Sequence, residues 1–150
     1  MSKNEDRFER FLVENKIEYK IPTKKEYSID NIPFNKTHVY KPDFYLPEKD
    51  LYIEIKGYMT LFTVNKLMYL LKKRLPSNFC ILQMTDETWI SEIYHDNTFS
   101  SIEKKIEKSI EKQLSEIKNL SSQELHDISV KRLEDYIKLN NQEFGQWMAC

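Results

Sequence analysis

Three side chains in one short stretch, YKPDFYLPEKDLYIEIKG at residues 40–57, have types and spacing that can do chemistry together: Asp43, Glu54 and Lys56. Carboxylate oxygens are hard ligands that suit Mg²⁺. A lysine ammonium beside them can steady negative charge as it develops in a transition state. A cation held there can also place and activate a water. These are the needs of phosphodiester hydrolysis, with Mg²⁺ as the expected metal and Mn²⁺ as its expected substitute. Asp43 and Glu54 are the expected ligands, and the backbone carbonyl of Ile55 can complete the metal shell.

Those side chains must be positioned by strands. In DLYIEIKG, Leu51, Ile53 and Ile55 alternate with Tyr52, Glu54 and Lys56, so Glu54 and Lys56 share one face. YKPDFYL reads as a second strand, and the turn PEKD joins the two into a hairpin that brings Asp43 beside Glu54 and Lys56. Pro42 breaks regular pairing just before Asp43 and lets its carboxylate leave the ladder.

The remaining elements follow from periodicity. Residues 5 to 16 predict an amphipathic helix with Phe8, Phe11 and Leu12 on one side. Ile17, Tyr19 and Ile21 alternate in a predicted strand that Pro22 ends. Residues 23 to 38 are polar, contain Pro33 and read as a loop or ragged hairpin. A helix is expected over 63–74, with an apolar stripe of Val64, Leu67, Met68, Leu71 and Leu75. FCILQM is wholly apolar apart from Gln83 and predicts a buried strand. Strand, helix and strand in that order suggest a crossover unit. From Ser101 to Leu139, Ile102, Ile106, Ile110, Leu114 and Ile117 recur at helical spacing; a further helix starts at Ser121 or Ser122 with Glu124 in its first turn.

Composition narrows the classes. The chain has 150 residues, a length that suits one compact core, and its 40% hydrophobic content argues against disorder. Gly57 and Gly145 are its two glycines, so no glycine-rich phosphate loop is present and no dinucleotide or other organic cofactor is expected. The net charge of −1 does not announce a nucleic-acid binder, but a carboxylate-lined metal site carries local negative charge of its own. Cys80 and Cys150 lie far apart; Cys80, in an apolar run, reads as a small buried residue. The polar start and the lack of a long apolar stretch predict neither a secretion signal nor a membrane span, and a cytoplasmic setting is expected.

Pro42 and Asp43, followed by Glu54, Ile55, Lys56 and Gly57, resemble the PD-(D/E)xK nuclease motif. NEDRF, KIEYK, KPDFYL and IEIKGYM, in that order, look like the phage endonuclease I family of Holliday-junction resolvases, over roughly residues 4 to 75. The resemblance implies an α/β (α+β) fold: a restriction-endonuclease-like core with a mixed central sheet flanked by helices. With the helical spacing of the last third, a core is expected over residues 1–98 and a helical extension over 99–150 that packs on the core or forms an oligomer or DNA interface. The resemblance implies a metal-dependent DNA endonuclease, a homodimer or higher homo-oligomer, acting inside a cell such as a phage-infected host. By it, Asp43 and Glu54 bind metal, Lys56 orients the attacking water, and Glu5 is the additional acid on the first helix, a possible ligand. Glu9, one turn on, is the alternative helix acid.

Other readings stand beside this one. An intron-encoded homing endonuclease, or a repair or restriction enzyme, can share such a site. A non-catalytic DNA-binding or interaction module on the same fold is the reading from another class. In the blandest reading Asp43 and Glu54 are solvated strand carboxylates paired with Lys56, an arrangement worth little. Lys72, Lys73 and Arg74 fit a DNA backbone contact or a helix C-terminus whose dipole favours cations. Lys24, Lys25, Lys36 and His38 are further candidates for DNA contact. His38, His95 and His126 have no metal-ligand spacing. Trp89 and Trp147 read as core or interface residues.

Overall fold

A computed structural model of the chain describes residues 2–23, 42–56, 61–69, 78–84 and 101–149. Helix α1 spans Lys3–Glu14 and begins slightly earlier than its apolar spacing suggests. The reason is a capping box: Glu5 donates its N–H to Ser2 Oγ at 3.2 Å, and Ser2 donates its own to Glu5 Oε2 at 3.3 Å. At the other end Lys16 turns left-handed with φ 56. Its N–H donates to Val13 O and that of Ile17 to Leu12 O, closing a Schellman motif.

The strand expected at Ile17–Ile21 does not form. Ile17 has given its N–H to the helix, and Pro22 has none to give. What remains is an isolated antiparallel bridge between Lys20 and Tyr45, closed by two hydrogen bonds of 2.8 Å.

Strands β1 (Phe44–Leu46) and β2 (Leu51–Lys56) form the expected antiparallel hairpin, with Tyr45 registered on Tyr52. Asp50 closes its turn at φ 50. Helix α2 (Leu61–Tyr69) follows, and β3 (Phe79–Gln83) lies parallel to β2, with Gln83 registered on Lys56. The three strands make one mixed sheet in the order β1-β2-β3. Among the described residues two further helices follow: α3 (Ile102–Asn119), capped by Ser101, and α4 (Ser122–Ala149), which continues past Leu139. Ser121 caps α4, accepting from Glu124 N while Glu124 accepts from Ser121 N, both at 3.2 Å.

Both sheet faces are covered. Phe44, Leu46, Ile53 and Ile55 pack with Phe8 and Leu12 of α1 and with Ile110 and Ile117 of α3. On the opposite face, Phe79 and Ile81 pack with Val64 and Leu67 of α2 and with Leu133 and Tyr136 of α4. Cys80 is buried, as its apolar neighbours suggest. The C-terminal helices therefore supply part of each layer. Arg132 of α4 and Glu116 of α3 pair at 2.8 Å, with 5% and 14% side-chain exposure, and join the two helices. Among the described residues no helix is long and apolar enough to cross a membrane.

The outer edge of β3 is closed by side chains. His126 Nδ1 meets Phe79 O at 3.2 Å, Ser129 Oγ accepts from Ile81 N at 3.0 Å, and Gln113 takes both groups of Gln83. Its Oε1 accepts from Gln83 N and its Nε2 donates to Gln83 O, each at 2.9 Å, so one carboxamide stands in for a neighbouring strand. Replacing it by Leu removes a buried hydrogen bond from each of those two groups, at about 1–3 kcal/mol each. Gln113→Leu is expected to lower the midpoint of thermal unfolding by roughly 4 °C or more. An unchanged midpoint would show that this edge does not need the amide.

Candidate active site

The site forms where the hairpin ladder ends. Asp43 N donates to Ile53 O at 3.0 Å, although Ile53 is registered on Phe44. The extra residue makes a bulge, which re-aims the side chain that carries it. The Asp43 carboxylate then accepts the next N–H of β2: Ile55 N to Asp43 Oδ2 is 2.8 Å. In a strand the N–H and C=O of one residue leave on the same edge. The Ile55 carbonyl thus leaves β2 on the side where Asp43 sits.

Glu54 and Lys56 project from the face opposite Ile53 and Ile55, and they meet as an ion pair at 3.1 Å. Their side chains are 8% and 26% exposed, so this is not the solvated surface pair of the blandest reading. Glu54 is a buried carboxylate. Burial of an ionised group is costly unless it is compensated.

Asp43 records the field of the site. Its carboxyl is pushed up from 3.8 to about 7, first by burial and then by the charge of Glu54. The bond from Ile55 N–H works the other way; Glu5 raises the value further, and Lys56 lowers it. Glu5, Glu54 and Lys56 are therefore each close enough for their charge to act on Asp43. Three acids outnumber one base there, and the single ammonium does not offset them.

Glu5 and Glu9 separate clearly. Glu5 is the helix acid whose charge reaches Asp43. Glu9 accepts a hydrogen bond from the Tyr19 hydroxyl, which raises the phenol above its ordinary value. Sequence reading did not single out Tyr19 as that partner. The available signal was its place in IEYK, one helix closure away from Glu9. Lys24, Lys25, Lys36, His38, Lys72, Lys73 and Arg74 lie outside the described residues.

Among the described residues, no three His, Cys, Asp or Glu side chains gather closely enough to enclose an ion by themselves. Mg²⁺ does not require that: it keeps several waters and binds through one or two carboxylates plus substrate phosphate. Asp43, Glu54 and the Ile55 carbonyl fit such an open site, and a divalent cation there would relieve the repulsion that Asp43 feels.

Comparisons of the chain with protein-family models, with curated proteins and with solved structures find no match.

The state of Asp43 has a consequence for stability. Its folded-state value, about 7, lies above the unfolded 3.8, so the folded chain holds a proton there that the unfolded chain releases. The associated stabilisation is complete below about pH 4 and is lost as pH rises through about 7. Asp43→Asn removes this dependence and can still accept from Ile55 N–H. In urea unfolding without divalent metal, it is expected to exceed the wild type by on the order of 1 kcal/mol at pH 8, after allowance for solvent screening at a half-buried group. The gap should close by pH 4. A gap of equal size at both pH values would show that Asp43 titrates normally.

Proposed function

We propose that the chain is a Mg²⁺-dependent DNA endonuclease of the junction-resolving, structure-selective type. The observation that carries this reading is the convergence at the end of the hairpin: the Asp43 carboxylate is bonded to the backbone between Glu54 and Lys56, and Glu54 is paired with Lys56. The order of elements supports it as well. A helix bearing Glu5, a hairpin bearing Asp43, Glu54 and Lys56, a helix and a parallel strand follow the order of the sequence resemblance. DNA, and a branched form of it, rests on that resemblance, as does the expectation of two copies making paired cuts.

Each residue has a stated task. Asp43, Glu54 and the Ile55 carbonyl would hold the cation, which when bound would supply charge neutralisation and an acidified water. Lys56 is held by Glu54 at the site's rim, and its ammonium orients the water and steadies the phosphate oxygens. Glu5 adds a carboxylate from the helix side, within the field of Asp43.

The test is cleavage of a four-way junction, a supercoiled plasmid and a linear duplex, each with Mg²⁺, Mn²⁺ or EDTA. Cutting is expected only with metal, and fastest on the junction. Asp43→Ala and Lys56→Ala should each lose on the order of 100-fold or more in rate. Glu5→Ala should lose activity and Glu9→Ala should keep it. Cutting that persists in both the Asp43 and Lys56 variants would remove the site from the mechanism. Loss in Glu9→Ala alone would exchange the roles of the two helix acids.

A further inference from the structure

Four residues stand in one row across the sheet face that carries Glu54 and Lys56. Lys20 bridges to Tyr45, Tyr45 is registered on Tyr52, and Tyr52 on Phe79. Residues in register project on the same face. The rings follow one another: Tyr45 and Tyr52 have centroids 4.6 Å apart at 34°, and Tyr52 and Phe79 are stacked at 6.4 Å and 20°. Their exposure is graded. Phe79 is buried, Tyr52 and Tyr45 are half-buried, and Lys20 is exposed. The aromatic ladder thus begins in the core and ends open, beside a cation.

Two features make its open end more than packing. The Tyr45 hydroxyl donates to Asp50 Oδ1 at 2.6 Å, which fixes the ring before any ligand arrives. Tyr45 stands one strand over from Tyr52, which is two residues before Glu54, so it lies about 5 Å across and about 7 Å along from the Glu54 position, roughly 8 Å in all. That is close to one nucleotide of an unstacked chain.

We propose that Lys20 and Tyr45 form the subsite for the nucleotide next to the phosphate handled by Asp43, Glu54 and Lys56. Tyr45 stacks on its base, and Lys20 pairs with its own phosphate. The inference rests on the nuclease reading and deepens it. A base inside a duplex has both faces covered by its neighbours, so this subsite selects DNA whose bases are unstacked near the cut, as at a branch point. Lys20 is the exposed cation of the row, and the phosphate contact falls to it, because the Asp50 carboxylate that accepts from Tyr45 repels a phosphate.

The experiment measures the binding of a fluorescent four-way DNA junction and of a linear duplex, in Ca²⁺, by anisotropy. Wild type, Tyr45→Leu, Tyr45→Phe and Lys20→Ala are compared after thermal melting confirms folding. Tyr45→Leu is expected to weaken junction binding about tenfold and to leave duplex binding unchanged, while Tyr45→Phe, which keeps the ring and loses only its anchor, weakens it about twofold. Lys20→Ala should weaken binding and lower the slope of log Kd against log salt by about one. If Tyr45→Leu does not fold, the Lys20 slope and the Tyr45→Phe result carry the test. Wild-type junction binding in both Tyr45→Leu and Lys20→Ala would overturn the subsite. Equal loss in Tyr45→Phe and Tyr45→Leu would assign the effect to the Asp50 bond and overturn stacking. Junction binding that depends on Tyr45 in a chain that cuts nothing would uphold the subsite and remove the nuclease reading. Metal-dependent cutting unaffected by Tyr45→Leu would do the reverse, and absence of any junction binding would overturn both.

Discussion

Where an antiparallel ladder ends, the next backbone N–H still needs an acceptor. Here the N–H belongs to Ile55, and its acceptor is the Asp43 carboxylate at 2.8 Å. The bond fixes Asp43 against β2 and fixes the path of β2 through Glu54, Ile55 and Lys56. It also sets up a conflict. The hydrogen bond favours the charged carboxylate, while burial and the charges of Glu54 and Glu5 disfavour it; the second group wins, and the carboxyl rises to about 7. The fold thus holds an acid where its charge is unwelcome without a further cation. Lys56 cannot be that cation alone, because it is already paired with Glu54. Such a perturbed group in a cluster with defined partners is what functional sites tend to contain.

How much of this could be read from the residues depends on the range of the forces involved. The hairpin was legible because alternation in LYIEIK and the PEKD turn are local signals, and they place Glu54 and Lys56 on one face without further information. Asp43 leaving the ladder was legible from Pro42, but the Ile55 N–H as its anchor was not, since that bond arises only once the bulge shifts the register. The missing strand at Ile17–Ile21 has the opposite cause. Its alternation was real, but Ile17 closes α1 and only Lys20 comes alongside β1. Glu5 and Glu9 occupy the same side of one helix, and sequence spacing could not rank them. In the fold the charge of Glu5 reaches Asp43, while Glu9 accepts from the Tyr19 hydroxyl. For Lys20 no local signal exists: its value as a candidate comes wholly from the bridge to Tyr45.

The last third of the chain was legible as helix and not as location. Amphipathic spacing shows that Ile110 and Ile117 want a partner, and says nothing about which one. Two kinds of contact settle it. Apolar burial sends α3 to the Ile53 face and Leu133 and Tyr136 of α4 to the Ile81 face. Polar satisfaction then fixes the registration, because Ser129 and Gln113 must meet the odd-numbered backbone groups of β3, those that point away from β2. An unpaired edge strand is otherwise a template for unwanted pairing, and here helical side chains close it.

Helix α3 consequently touches both walls of the candidate site. Its Glu107 pairs with Arg7, two residues beyond Glu5 on α1. Its Gln113 holds the backbone of Gln83, and Gln83 is registered on Lys56. The first link is exposed and contributes little energy by itself. The second is buried and costly to break, because losing the amide takes a hydrogen bond from both backbone groups of Gln83. The spacing between the helix acid and the strand lysine is therefore also referenced to a helix that begins 46 residues after Lys56 in sequence, at Ile102. A site assembled from Glu5, Asp43, Glu54 and Lys56 uses that reference together with the packing of Phe8 and Leu12 of α1 on the hairpin, since the hairpin by itself carries three of the four.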